Sequence, residues 1–335
     1  MNYRRIATEE AFAIPEQFEA WRKLIKKTRK YDPDLFLNRA QVDGGPLSQR
    51  LLDLDDERLR IMDKANIDMH LLSLTSTGVQ AFKPDKAVAI AAIANDRLSE
   101  AIKRHPKRYA GLCAFAPQNP KRAVKEIERG ITKLKLNGLI VNSHTNGEYL
   151  DEKKYWPILE AAAALKAPVY IHPRSPSPAM AKPYRAYHLE HAIWGYAAET
   201  GLHAVRLIVS GVFDEFPDLT IVLGHMGENI PYSLYRLDWM HRNARVSMDR
   251  PKLKMAPSEY FKRNFYITTS GVNWHPTLKF GIEVLGADRI MFAVDYPYQE
   301  TMEAVKFMND APISNADKEK IFAKNAERVF RIKTG

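Results

Sequence analysis

The sequence has a single cysteine among its 335 residues, Cys113, set in the apolar run YAGLCAF. Neither a disulfide framework nor a thiolate metal cluster can be built from it, and a buried structural thiol is the expected role. No apolar run approaches the roughly 20 residues needed to cross a bilayer. The opening stretch MNYRRIATEEAF also lacks the charged-then-apolar layout of a signal peptide, so a cytoplasmic protein without a membrane partner is expected. No Gly/Ser-rich linker or low-complexity tract divides the chain, which predicts one domain over residues 1–335. Acidic residues are in the minority, 40 Asp and Glu against 50 Lys and Arg, giving a formal charge of +10. The basic clusters KLIKKTRK (23–30) and TKLKLNG (132–138) are short and come without a nucleic-acid-reading motif. Nucleic acid is therefore not an expected partner, and the excess positive charge suits an anionic small molecule.

What the chain does contain is a recurring unit: a short apolar or β-branched run, a polar loop, then a longer amphipathic segment. The runs fall at 5–11, 69–75, 108–116, 136–143, 167–173, 219–225, 265–270 and 289–295. Between them, segments such as 85–105, 120–134 and 155–166 carry apolar residues at three- and four-residue spacing, as amphipathic helices do. Continuous apolar strands alternating with helices imply a parallel sheet covered on both faces. Eight such units predict a (β/α)8 TIM barrel with insertions near 17–55, 174–190 and 240–258. A doubly wound sheet is the competing architecture, but no GxGxxG follows the first strand.

A barrel of this kind places its chemistry at the C-terminal ends of the strands. The first strand ends in Glu9 and Glu10, the fifth in His172, the sixth in GHMGE with His225 and Glu228, and the eighth in Asp295. Each has an ordinary explanation when taken singly. His172 could be a core histidine, Asp295 a turn aspartate, and His225 with Glu228 a local pair at the start of a helix. Those explanations would have to hold independently at the same end of one barrel. A divalent metal bound by two carboxylates and one imidazole accounts for Glu9, His172 and Asp295 together, and that ligand set suits Mn2+ or Zn2+.

Seven stretches in order, RIATEEAFA, LLDLDDERLRIMDKANID, NSHTNGEYLDE, YIHP, ETGLHAVRLI, GVFDEFPDLTIVLGHMGENIPYSLYRLD and FAVDYPYQ, extend a resemblance over essentially the whole chain. The sequence resembles the metal-dependent amidohydrolase superfamily, and within it the non-oxidative aromatic acid decarboxylases that act on 5-carboxyvanillate, 2,3-dihydroxybenzoate and γ-resorcylate. Hydrolytic members commonly open with a His-x-His pair. The matching positions here are Glu9 and Ala11, which argues for one metal rather than a bridged pair.

The resemblance implies a metal-dependent carboxy-lyase acting on a phenolic aromatic acid, with 5-carboxyvanillate to vanillate placed ahead of the dihydroxybenzoates. It implies a metal on Glu9, His172 and Asp295, Mn2+ ahead of Zn2+, with Asp295 also delivering a proton to the ring. His225, oriented by Glu228, would manage protons. Arg58, Arg236 and Tyr298 would bind the small aromatic carboxylate, with Arg236 reaching in from a neighbouring subunit of a homodimer or homotetramer. Glu10 is then a supporting or structural acid, and Asn142 and His144 are further candidate hydrogen-bond donors. A metal-dependent hydrolase is the alternative activity, and a barrel that has lost its chemistry the alternative from outside enzymology.

Overall fold

The computed structural model describes residues 3–28, 32–243 and 250–333. Its strands are β1 (Ile6–Phe12), β2 (Met69–Leu74), β3 (Tyr109–Ala114), β4 (Gly138–Asn142), β5 (Val169–His172), β6 (Ile221–Leu223), β7 (Phe265–Thr268) and β8 (Ile290–Met291). They form one eight-stranded sheet in chain order, and every neighbouring pair is parallel. Almost every strand residue is buried, as expected when side chains fill the barrel on one face and helices cover the other. All eight strands lie where the sequence places them.

The seam between β8 and β1 closes the barrel without a regular ladder. Thr8 donates its amide to the Phe292 carbonyl at 3.1 Å and Ala11 to that of Tyr296 at 2.7 Å. β1 itself carries a bulge, because Ala7 opposes His70 while Glu10 opposes Leu72. A bulge re-aims successive side chains. The strand does not end at the acidic pair, as the sequence suggests, but continues to Phe12.

The outer layer follows from the amphipathic segments. The helix Pro84–Arg104 has proline in its first turn and buries Ala87, Ile90, Ala91, Ala94, Leu98 and Ala101, a stripe at helical spacing. The predicted insertion near 17–55 contains three helices, α1 (Pro15–Lys27), α2 (Pro33–Val42) and α3 (Pro46–Leu52), each with proline in its first turn. One face of α2 is polar and turned inward. Asp34 binds Arg174 and Ser175, Asn38 binds Thr77, and Gln41 binds the Ser76 carbonyl. Its register of 34, 38 and 41 is one side of a helix, so this element docks by hydrogen bonds on the loops after β2 and β5.

The 174–190 insertion holds a short 3-10 segment, Lys182–Tyr187. Of the 240–258 insertion, residues 244–249 lie outside the described residues. Cys113 is free and buried.

Candidate active site

Glu9, His172 and Asp295 each offer one ligand atom, and these atoms lie within 4.8 Å of one another. Three separate stretches of chain supply them: the middle of β1, the last residue of β5 and the loop after β8. The two oxygens of Glu9 are treated differently. Oε2 accepts hydroxyls from Tyr170, Thr268 and Ser270, of which the Thr268 bond is 3.0 Å. Oε1 is buried and has no hydrogen-bond partner. A carboxylate oxygen deprived of both water and donors costs several kcal/mol unless a cation meets it.

The imidazoles complete the picture. His172 Nδ1 lies 2.8 Å from the Pro173 carbonyl, which can only accept, so the proton sits on Nδ1. Nε2 then faces Glu9 Oε1 at 3.5 Å. A buried carboxylate oxygen without a partner, an imidazole nitrogen turned toward it with the other nitrogen held by a carbonyl, and a second carboxyl group make a donor set that fits a divalent metal.

His225 stands beside this trio. Its Nδ1 is 2.9 Å from Glu228 Oε1 and 3.8 Å from Glu9 Oε1, and its Nε2 is 3.7 Å from Asp295 Oδ2. Burial disfavours the imidazolium, but the Glu9 and Glu228 carboxylates outweigh it and hold the His225 pKa well above its ordinary value. Burial and the neighbouring Glu9 charge push Asp295 up, against the pull of His225. Burial also opposes ionisation of Glu9, yet His225, His172 and the Ser270 and Tyr170 hydroxyls hold its pKa below the usual carboxylate value. Adjacent carboxyl groups are thus driven in opposite directions, the separation that acid and base roles require.

The local backbone is unusual. His225, Met226, Gly227, Glu228 and Asn229 have φ of 49°, 55°, 82°, 52° and 65°, and Asp295 has 76°. His225–Asn229 is therefore a left-handed turn rather than the start of a helix, and the helix Ile230–Arg242 begins after it. Left-handed backbone costs an L-residue about 1–2 kcal/mol, so the surrounding contacts must hold the turn. One contact is the His225 amide on Ser270 Oγ at 3.0 Å. Gly224 precedes the turn for a different reason: a Cβ there would stand 2.6 Å from Glu9 Oε2.

The remaining residues singled out from sequence are placed as follows. Tyr298 has its hydroxyl on Gln41 and Thr75. Arg236 is exposed on the helix Ile230–Arg242 and lies 5.7 Å from the Trp239 ring. Asp238, its nearest acidic neighbour in sequence, is engaged by Ser258 instead. Arg58 is fully buried, and its guanidinium donates to the carbonyls of Asp53, Ala11 and Arg50 and covers the Tyr296 ring at 4.5 Å. Its Nε and Nη2 are thus engaged by backbone carbonyls, and Nη1 has no hydrogen-bond partner. His144 has both ring nitrogens on backbone, at Ser175 O and Gly147 N.

Sequence reading missed Tyr170, Thr268 and Ser270 as the hydroxyls that lock Glu9. Alternation puts Tyr170 on the same face of β5 as His172, but no local pattern brings it to Glu9, and Ser270 lies beyond the end of β7.

The family described as Amidohydrolase matches residues 20–332. A γ-resorcylate decarboxylase from a Polaromonas species is 38% identical over 338 residues, 98% of either chain. The crystal structure of 5-carboxyvanillate decarboxylase from Sphingomonas paucimobilis is 48% identical and superimposes with a TM-score of 0.96, covering 99% of this chain and 100% of the other. A second 5-carboxyvanillate decarboxylase, from Novosphingobium aromaticivorans, holds manganese and 4-hydroxy-3-methoxy-5-nitrobenzoic acid. It is 40% identical with a TM-score of 0.94, over 98% of this chain and 96% of that one. Among the described residues no helix is long and apolar enough to cross a membrane.

Proposed function

The chain belongs to the amidohydrolase family, and from that premise we propose that it removes carbon dioxide from a phenolic aromatic acid, converting 5-carboxyvanillate to vanillate. The observation that carries the reading is the bare, buried Glu9 Oε1 facing His172 Nε2 and clustered with Asp295. The substrate is favoured by the 48% identity to a 5-carboxyvanillate decarboxylase against 38% to the γ-resorcylate enzyme. A divalent metal held by Glu9, His172 and Asp295, Mn2+ as in the Novosphingobium relative or else Zn2+, would supply Lewis-acid stabilisation for an ionised phenol and a carboxylate.

The chain's own groups then account for the proton transfers. Asp295, whose carboxyl is pushed toward the protonated form by burial and by the charge of Glu9, is the group we assign to deliver a proton to the ring carbon that bears the carboxylate. The bond from that carbon to the carboxylate breaks, its electron pair restores the aromatic ring, and carbon dioxide leaves. The net change is a proton in place of a carboxylate. His225, 3.7 Å from Asp295 Oδ2, returns a proton to it, and Glu228 holds the ring in position at Nδ1.

Tyr298 offers its hydroxyl to the bound acid, and Arg236 supplies the counter-charge. Because Arg236 is exposed and lies among the exposed Tyr232, Tyr235 and Trp239, the reading makes it the contribution of a neighbouring subunit in a homodimer or homotetramer. The enzyme is placed in the cytoplasm. Hydrolysis is the weaker reading because Glu9 and Ala11 stand where hydrolytic members carry paired histidines.

The test is an ultraviolet assay on protein stripped of metal and reloaded with Mn2+ or Zn2+, offered 5-carboxyvanillate, 2,3-dihydroxybenzoate and 2,6-dihydroxybenzoate, with carbon dioxide scored in parallel. Metal-restored loss of one carboxylate, fastest on 5-carboxyvanillate, is expected. Absence of turnover on all three with metal bound would sink the proposal.

A further inference from the structure

Glu10 is adjacent to Glu9 in sequence but faces away from it, and it is fully buried. Its Oε1 accepts the backbone N–H of Val294 at 2.9 Å and its Oε2 that of Tyr296 at 3.0 Å. These two amides flank Asp295, the residue with φ of 76°. Nothing in the ladder holds them, because β8 stops at Met291. Along this seam a side chain from β1 takes the place of strand carbonyls. A single carbonyl could accept from one of these amides. A carboxylate accepts from both, with its two oxygens at a fixed separation, and so constrains the orientation of the residue between them.

Arg58 donates to the carbonyl of Ala11, the next residue on β1, at 2.7 Å and lies over the ring of Tyr296, one of the two clamped residues. Arg58 therefore braces the same two segments that Glu10 joins.

We propose that Glu10, braced by Arg58, is a positioning residue that fixes the backbone of residues 294–296 in the left-handed conformation from which Asp295 reaches the Glu9 and His172 cluster. The inference rests on the reading of Asp295 as metal ligand and proton donor. Its consequence is that the acidic pair on β1 has divided duties: Glu9 binds, while Glu10 aims the opposite ligand.

Glu10→Gln tests this. Glutamine preserves volume, keeps one acceptor and turns an N–H2 against the other amide. Mn2+ binding to metal-stripped protein is measured by loss of the free-ion electron paramagnetic resonance signal, without substrate. The E10Q protein is expected to melt as a folded species and to bind Mn2+ about 10- to 100-fold more weakly than wild type. At saturating Mn2+ its kcat is expected to fall about tenfold or more, with KM within about twofold, because the substrate-contacting groups are untouched. A role confined to closing the barrel would lower the melting temperature and leave Mn2+ affinity and kcat at wild-type values, and that result overturns the proposal.

If E10Q does not accumulate as folded protein, Glu10→Asp carries the test, since its shorter side chain cannot span both amides. Weakened Mn2+ binding in folded E10D supports the proposal, and unchanged binding and kcat overturn it. Wild-type protein that binds no Mn2+ overturns the metal reading and this inference with it. Equal binding by wild type and variant overturns this inference alone.

Discussion

Two groups of buried ionisable side chains sit near the C-terminal ends of the barrel strands, and they differ in one respect. In the first, Glu9, His172, His225 and Asp295, a carboxylate oxygen is left bare and neighbouring carboxyl groups are driven apart in acidity. In the second, Ser143, Tyr149, Glu199 and His203, every polar atom is matched. Ser143 and Tyr149 donate to the two oxygens of Glu199 at 3.1 Å each, and Ser143 Oγ lies 3.3 Å from His203 Nδ1. The Leu150 amide donates to His203 Nε2 at 3.2 Å. That bond makes Nδ1 the protonated nitrogen, so this histidine cannot take a proton from Ser143 through it, and the Ser, His and Glu arrangement is no nucleophilic triad. Residue types do not separate a site from a structural network. Between these two clusters the difference is the unmatched Glu9 Oε1, which faces an imidazole and a second carboxyl group.

The largest break in the comparison comes from Asp295→Asn. The variant keeps shape but replaces one carboxyl oxygen of the proposed metal ligand and proton donor by an amide nitrogen, so turnover should fall about 10³-fold or more. Because Asp295 is a carboxyl pressed against the charge of Glu9, its removal should leave the melting temperature unchanged or raised. Activity assays and calorimetry on the same preparation check this, and lost folding together with lost turnover would count against a dedicated site.

Next in size is the contrast between two arginines. Arg236→Ala removes an exposed guanidinium that lies over the Trp239 ring. It should raise KM for the aromatic acid about tenfold or more while the melting temperature holds. Arg58→Lys replaces a buried fork that serves three backbone carbonyls, so it should cost about 2–3 kcal/mol of stability by denaturant titration. A KM effect from Arg58→Lys without lost stability would return Arg58 to the substrate, where the sequence resemblance alone puts it.

The different fates of these residues show what was legible in the sequence and why. Strands were readable because each is a continuous apolar run, and Glu9, His172, His225 and Asp295 because each polar residue follows or interrupts such a run. The left-handed turn at His225–Asn229 was not, since four of its five residues are not glycine and only the contacts of the folded protein hold them there. The partners of Arg58 were hidden for a related reason. A motif records that an arginine is present, whereas burial decides whether its fork meets a ligand or the carbonyls of Ala11, Asp53 and Arg50. The hydroxyls on Glu9 come from β5 and β7 and from the residues just beyond β7, so their convergence depends on barrel closure rather than on any local pattern.

The smallest expected effect tests the saturated network. Burial pushes Glu199 up from its ordinary 4.5 to about 7, against the hydrogen bonds from Tyr149 and Ser143. An acid with a raised folded-state pKa holds its proton in the native protein after the unfolded chain has released it. Its contribution to stability is therefore most favourable below pH 4.5 and declines as pH rises to about 7, by up to about 3 kcal/mol, then stays level. Glu199→Gln removes that titration without removing the side-chain volume. Relative to wild type, the variant should gain stability between pH 5 and pH 8, as measured by urea midpoints across that range, while turnover at fixed Mn2+ stays near the wild-type value. A wild-type minus variant difference that does not change with pH would mean Glu199 is ionised throughout, its charge stabilised by the two hydroxyls despite burial. A loss of turnover would mean the second network is coupled to the first, and the distinction between satisfied and unsatisfied clusters would no longer mark where the chemistry lies.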